Sequence, residues 1–146
     1  MKRGHKLSLV TYLATNFTLP FTEDGDKKIL VGECFSDIED RQKVRKHFSN
    51  KYVYEIFTDE GGEFWFNDDC KEEYLDGNLK SQEDFLELCK FLDTYLEKDT
   101  YCEVYVCWIG EEEEERNKEC DQVINLNNLD IEKVQIHEKT LLIIRK

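Results

Sequence analysis

One proline and seven glycines in 146 residues leave little material for flexible linkers. The length and the scarcity of breakers predict one domain, able to bury about 68–70% of its unfolded surface without a staple. No apolar run approaches about 18 residues, so no membrane-spanning helix is expected. No phosphate-binding loop, nucleophile elbow or HExxH helix occurs, which removes the chemistries that announce themselves by motif. Basic residues are the other shortage. Residues 1–50 hold nine Lys/Arg against seven Asp/Glu, whereas residues 51–146 hold eleven against twenty-six, for a net formal charge of −13. A surface of that sign repels phosphate backbones and anionic membranes, and it attracts a basic protein.

What is present argues for a real core. Seven Tyr, nine Phe and two Trp make 12% of the chain aromatic, against the disorder that charge alone would suggest. Six cysteines (Cys34, Cys70, Cys89, Cys102, Cys107, Cys120) include no C-x-x-C pair, and His5, His47 and His137 are scattered, so a structural zinc site is not expected. Leu7–Leu13 is interrupted by Ser8, Thr11 and Tyr12 and is a poor secretory leader. The expectation is a reducing cytoplasm, free thiols packed as small hydrophobes, and neither metal nor cofactor.

The pattern along the chain predicts an α+β fold, a single largely antiparallel β-sheet with two helices packed on one face. Residues 7–13 alternate as a central strand, and 28–34 can form a second. Residues 17–28, with Pro20 and the acidic turn at 23–26, form a loop. Ser36 with Glu39 resembles a capping box opening a helix to about Phe48. Lys51–Phe57 and Glu63–Phe66 predict a hairpin about the Gly61–Gly62 turn, followed by a polar loop over 67–78. Ser81 opens the strongest helix, whose apolar face is Phe85, Leu88, Leu92, Tyr95 and Leu96. Tyr101–Ile109 is a strand with Cys102, Val104, Val106 and Trp108 on one face. Tyr101, Glu103, Tyr105, Cys107 and Ile109 lie on the other. Residues 122–126 add a short strand. Residues 132–136 and 140–145 form a final hairpin turning at 137–139.

Five consecutive glutamates, Glu111, Glu112, Glu113, Glu114 and Glu115, follow Gly110. Alternating side chains on an extended segment do not converge on a cation as a calcium loop does, and mutual repulsion predicts an extended, mobile, solvated loop. Its functional reading is an acidic edge for a basic partner. Asp59, Glu60 and Glu63 about the expected hairpin turn extend that reading. Paired acids can serve acid–base chemistry, but twenty-six acids in 96 residues place carboxylates together by chance. Half of the aromatic set Tyr52, Tyr54, Phe64, Trp65 and Phe66 would face outward if the helices covered one face only, and such patches mark interfaces.

Three segments resemble a family of small acidic bacterial proteins of unestablished function: Tyr12-Leu-Ala-Thr-Asn16, Val44-Arg-Lys-His-Phe-Ser-Asn-Lys-Tyr-Val-Tyr54 and Glu103-Val-Tyr-Val-Cys-Trp-Ile-Gly-Glu111. The resemblance implies a bacterial cytoplasmic protein of α+β fold and supplies no catalytic residues. Many members of that family carry a Cys/Gly-rich segment where this chain has Asp59-Glu-Gly-Gly-Glu63, so no thiol or metal role follows for it. The sequence favours a non-enzymatic module or inhibitor, like an immunity protein, that captures a basic partner. A variant of this is a nucleic-acid mimic that blocks a DNA-handling enzyme. The competing reading is a small enzyme or ligand-binding domain whose site forms only in three dimensions.

Overall fold

A computed structural model describes residues 8–20, 28–32, 36–60 and 63–146. The acidic turn at 23–26, the Gly61–Gly62 turn, His5 and Cys34 lie outside the described residues. In chain order the elements are β1 (Leu9–Thr15), β2 (Ile29–Gly32), α1 (Ile38–Val44), β3 (Tyr52–Thr58), α2 (Asp68–Glu73), α3 (Leu75–Tyr95), β4 (Tyr101–Trp108), β5 (Gln122–Asn125) and β6 (Thr140–Arg145). Short 3-10 turns fill the connections.

The strands form one mixed sheet in the order β2-β3-β1-β4-β6-β5. β1 lies at its centre, antiparallel to β3 (Leu13 opposite Tyr54) and to β4 (Leu13 opposite Val104). Every β1 residue is buried, as two-sided apolar patterning requires of a central strand. β2–β3 and β4–β6 are antiparallel as well, and only β5 runs parallel to its neighbour β6. The α+β class and the largely antiparallel sheet therefore stand as the sequence implies.

Strand alternation divides the interior into two cores. Leu9, Leu13, Ile56, Cys102, Val104, Val106, Leu142 and Ile144 face the first, against Phe85, Leu88, Cys89 and Leu92 of α3. Val10, Tyr12, Tyr105, Cys107 and Leu141 face the second, where Val44 of α1 and the following Phe48 cover them. The face assignment of β4 made from its alternation holds at these positions. The helices that share the first face are α2 and α3, while α1 takes the other. Its apolar stripe is thin: Ile38 remains 66% exposed and Val44 alone is fully buried within the helix. A sheet with two apolar faces needs cover on both, and α1 supplies the smaller part. The expected outward aromatic patch does not form from its residues: Phe64 and Phe66 are buried, and Tyr52, Tyr54 and Trp65 are half-buried.

Several local expectations give way. Glu63–Phe66 forms no strand. β3 already has β1 and β2 as neighbours, so neither of its edges is open to a hairpin partner. Phe64 and Phe66 drop into the first core, and the Phe66 carbonyl accepts from Ile136 N at 2.7 Å. That bond holds residues 134–137 as a strap, so the final hairpin is absent and β6 pairs with β4 and β5. The polar stretch 67–78 is helical. Asn67 caps α2, its side-chain oxygen accepting from Cys70 N at 2.9 Å. Tyr74 (φ −139°, ψ 65°) is the joint into α3, which starts six residues before Ser81. Ser81 instead donates to the Glu63 carbonyl at 2.7 Å. The cap of α1 is Asp37, in a reciprocal box with Asp40 (2.9 and 3.1 Å). Ser36 is buried and donates its hydroxyl to Glu55 Oε1 at 2.7 Å.

Candidate functional site

The five glutamates do not form an extended edge. They wind through successive tight turns after Gly110, whose φ of 96° suits glycine. Glu111 N bonds the Trp108 carbonyl at 3.0 Å and Glu114 N the Glu111 carbonyl at 3.1 Å. Glu112 is 1% exposed, its carboxylate accepting from Tyr12 Oη at 2.7 Å and Gly110 N at 2.9 Å. Its carbonyl accepts from His47 Nε2 at 2.9 Å, and the His47 ring stacks on Tyr105 with centroids 4.3 Å apart. Glu111 and Glu114 share Lys139 at 3.6 and 2.7 Å. Glu113 and Glu115 are exposed, and the Glu113 carbonyl takes Lys46 Nζ at 2.5 Å. Only part of the run is thus free to meet a partner, and Glu112 is withdrawn from it.

The cluster under this turn is polar and closed. Burial pushes the Glu112 carboxyl above its ordinary range, partly offset by the Tyr12 hydrogen bond. Burial pushes both Tyr12 and Tyr105 up as well. His47 is held below its ordinary value, first by desolvation and then by neighbouring Lys46 and Arg116, with the Glu112 carbonyl opposing. Tyr105 Oη has no hydrogen-bond partner among the described residues. All four side chains are buried, so the cluster serves to fasten the 110–115 turn to the second core.

The second acidic group lies elsewhere. Asp59, Glu60 and Glu63 are exposed beside α3. Glu60 bridges Lys28 (3.1 Å) and Lys80 (3.0 Å), which hold its carboxyl below the usual range. Lys80 also reaches the fully buried Asp84 at 2.8 Å. Next to this network the α2–α3 joint carries three exposed apolar side chains: Tyr74 at 69%, Leu75 at 50% and Leu79 at 46%. Asp68, Asp69, Glu72, Glu73 and Asp76, all exposed, surround them. Sequence reasoning passes over these residues by treating 67–78 as a loop. The i, i+4 spacing of Leu75 and Leu79 is the signal that marks a helix face there.

Among the described residues, two concavities flank α3. A groove of about 740 Å³ runs between α3 and the 126–129 turn, lined by Leu86, Cys89, Lys90, Leu126 and Leu129 among others. A smaller pocket of about 280 Å³ lies behind Tyr74, between Trp65 and Asp84. The five described cysteines are free thiols. Burial pushes Cys89 up to about 12 and raises Cys102 and Cys107 too, so these three pack as hydrophobes rather than react. Among the described residues no group of three or more His, Cys, Asp or Glu is placed to hold a metal, and no helix is long and apolar enough to cross a membrane. Comparison with protein-family models, curated proteins and solved structures finds no match, so the likeness to small acidic bacterial proteins rests on its three segments alone.

Proposed function

We propose that the chain is a non-enzymatic module that captures a basic protein, with the α2–α3 joint as its contact surface. The observation that carries this reading is the grouping of Tyr74, Leu75 and Leu79, all exposed, inside a frame of carboxylates. Interfaces combine an apolar or aromatic centre, which supplies most of the binding energy, with a charged rim that steers encounter. The net charge of −13 extends that steering beyond the contact itself. Glu60 and Glu63 adjoin this surface. Glu113 and Glu115 lie over the opposite face of the sheet and take a secondary part.

The test is a pull-down with three baits: wild type, Tyr74→Ala/Leu79→Ala and Glu113→Gln/Glu115→Gln. A basic protein retained by wild type, lost by the first variant, and released by salt of about 0.5 M supports the reading. Equal loading of all three baits overturns it. Competition by duplex DNA would identify the captured protein as a nucleic-acid handler. The second reading, a small-molecule site, is favoured by the groove along α3. Saturable binding of a small ligand that a bulky substitution at Leu86 abolishes, with no basic protein captured by wild type, would support it instead.

A further inference from the structure

The pocket lined by Tyr74 and Trp65 also includes a buried carboxylate with one oxygen unpaired. Asp84 is 0% exposed. Its Oδ1 receives Lys80 Nζ at 2.8 Å, with Lys28 Nζ at 3.8 Å, but Oδ2 has no hydrogen-bond partner among the described residues. Buried polar atoms are almost always satisfied, and a carboxylate oxygen left bare is costly. The residue that carries this oxygen also lines the pocket, so a donor seated there lies next to Asp84 and reaches Oδ2 by a small shift of the intervening wall.

The surroundings specify the donor. Lys28 and Lys80 are divided between Glu60 and Asp84. With Glu63 in the wall, three carboxylates face two ammonium groups, so the pocket disfavours an anion. Trp65 is fixed as a wall: its indole N–H donates to Cys70 Sγ at 2.8 Å, and its ring lies 6.0 Å from that of Trp108. Tyr74 also lines the pocket and is 69% exposed. Two aromatic rings and a carboxylate acceptor form the setting in which an alkylammonium gains both cation–π attraction and a charged hydrogen bond.

We propose that this pocket is a binding site for a primary alkylammonium, occupied in the complex by a lysine side chain of the basic partner. The identity of the occupant rests on the partner-binding reading, whereas the ammonium site itself stands independently. Lysine recognition here would give the apolar joint a specific anchor, with Asp84 Oδ2 accepting a hydrogen bond from the partner's ammonium while Oδ1 keeps Lys80.

n-Butylammonium is the probe, n-butanol its uncharged control, and the Trp65 indole N–H resonance, assigned by Trp65→Phe, the readout. A saturable shift with n-butylammonium and none with n-butanol is expected. Tyr74→Ala should weaken the fitted affinity roughly fivefold, and Asp84→Asn should abolish the response. Because Asp84→Asn can also unsettle Lys80, Glu63→Gln provides a surface variant that should weaken binding without touching the core. No saturable shift, or an equal response to n-butanol, overturns the site. If Tyr74→Ala releases the partner while n-butylammonium leaves Trp65 unchanged, the pocket fails and the contact surface stands. If n-butylammonium binds but no basic protein is captured, the ammonium site stands and the partner reading falls.

Discussion

Glu112 joins three parts of the chain through one side chain and one carbonyl: Tyr12 on β1, His47 after α1, and its own turn at Gly110. Glu112→Ala leaves the buried Tyr12 hydroxyl and the Gly110 N–H without their acceptor, and should lower stability by about 2–4 kcal/mol. Glu112→Gln keeps an acceptor for Tyr12 and removes a charge that burial penalises, so it should be at least as stable as the parent at neutral pH. Glu113→Ala and Glu115→Ala should lie within about 0.5 kcal/mol. Urea midpoints measure all four, and a uniform effect across the run would contradict the burial of Glu112. The neighbouring His47 gives a pH dependence. Its folded value lies below the ordinary 6.5, so below that pH the unfolded chain takes up a proton that the native ring resists. Stability on this account falls as pH drops from about 7 to 5.5. Glu112, raised in the fold, acts oppositely and gains stability as pH falls toward 4.5. His47→Gln should therefore flatten the decline between pH 7 and 5.5, and an unchanged slope would remove His47 as its cause. Five adjacent glutamates look alike in the sequence. What singles out the second is a tyrosine one hundred positions away, and no local pattern carries that information.

At the scale of elements, periodicity was the part that could be read and pairing the part that could not. Alternation placed β1 at the centre and sorted the faces of β4 correctly, because side-chain direction follows from strand geometry alone. Phe64 and Phe66 alternate as a strand would, yet have no neighbouring strand, since β1 and β2 occupy both edges of β3. The caps lie elsewhere than the pattern predicts: Asp37 rather than Ser36 caps α1, and Asn67 caps α2, a helix the pattern does not contain, while α3 starts after Tyr74 without a side-chain cap. Asn67 shows why the second matters. Its side chain caps α2 and also donates to the Ile136 carbonyl at 2.9 Å, while its backbone N–H bonds Asn78 Oδ1 at 3.1 Å. One residue thus ties α2, α3 and the 134–137 strap. Asn67→Ala should cost about 2–3 kcal/mol, above the roughly 1 kcal/mol of an ordinary cap, because it strands a buried carbonyl as well. Asn67→Asp should retain the cap but lose the donor to Ile136, giving an intermediate midpoint. Proteolysis within 67–78 should rise in the same order.

For the whole molecule, charge and shape separate two quantities that a single affinity would merge. The acidic excess acts at a distance of about 10 Å at 0.1 M salt and about 3 Å at 1 M, and it acts on encounter. In the proposed complex Tyr74, Leu75 and Leu79 would act only on contact, and so on its lifetime. Association with the basic partner should therefore slow steeply with salt while dissociation changes little. Neutralising the frame, with Asp69→Asn, Glu72→Gln and Glu73→Gln together, should lower the association rate several-fold and flatten its salt dependence. Tyr74→Ala should instead raise the dissociation rate and leave the salt dependence intact. Surface plasmon resonance across a salt series distinguishes the two. The comparison that decides between the sequence reading and the surface at the α2–α3 joint is Glu113→Gln/Glu115→Gln. Both residues add to the long-range field, so a small loss in association rate follows from charge alone. A loss as large as that of the frame variant, or any rise in dissociation rate, would place the 111–115 turn inside the footprint and move the contact surface to the other face of the sheet.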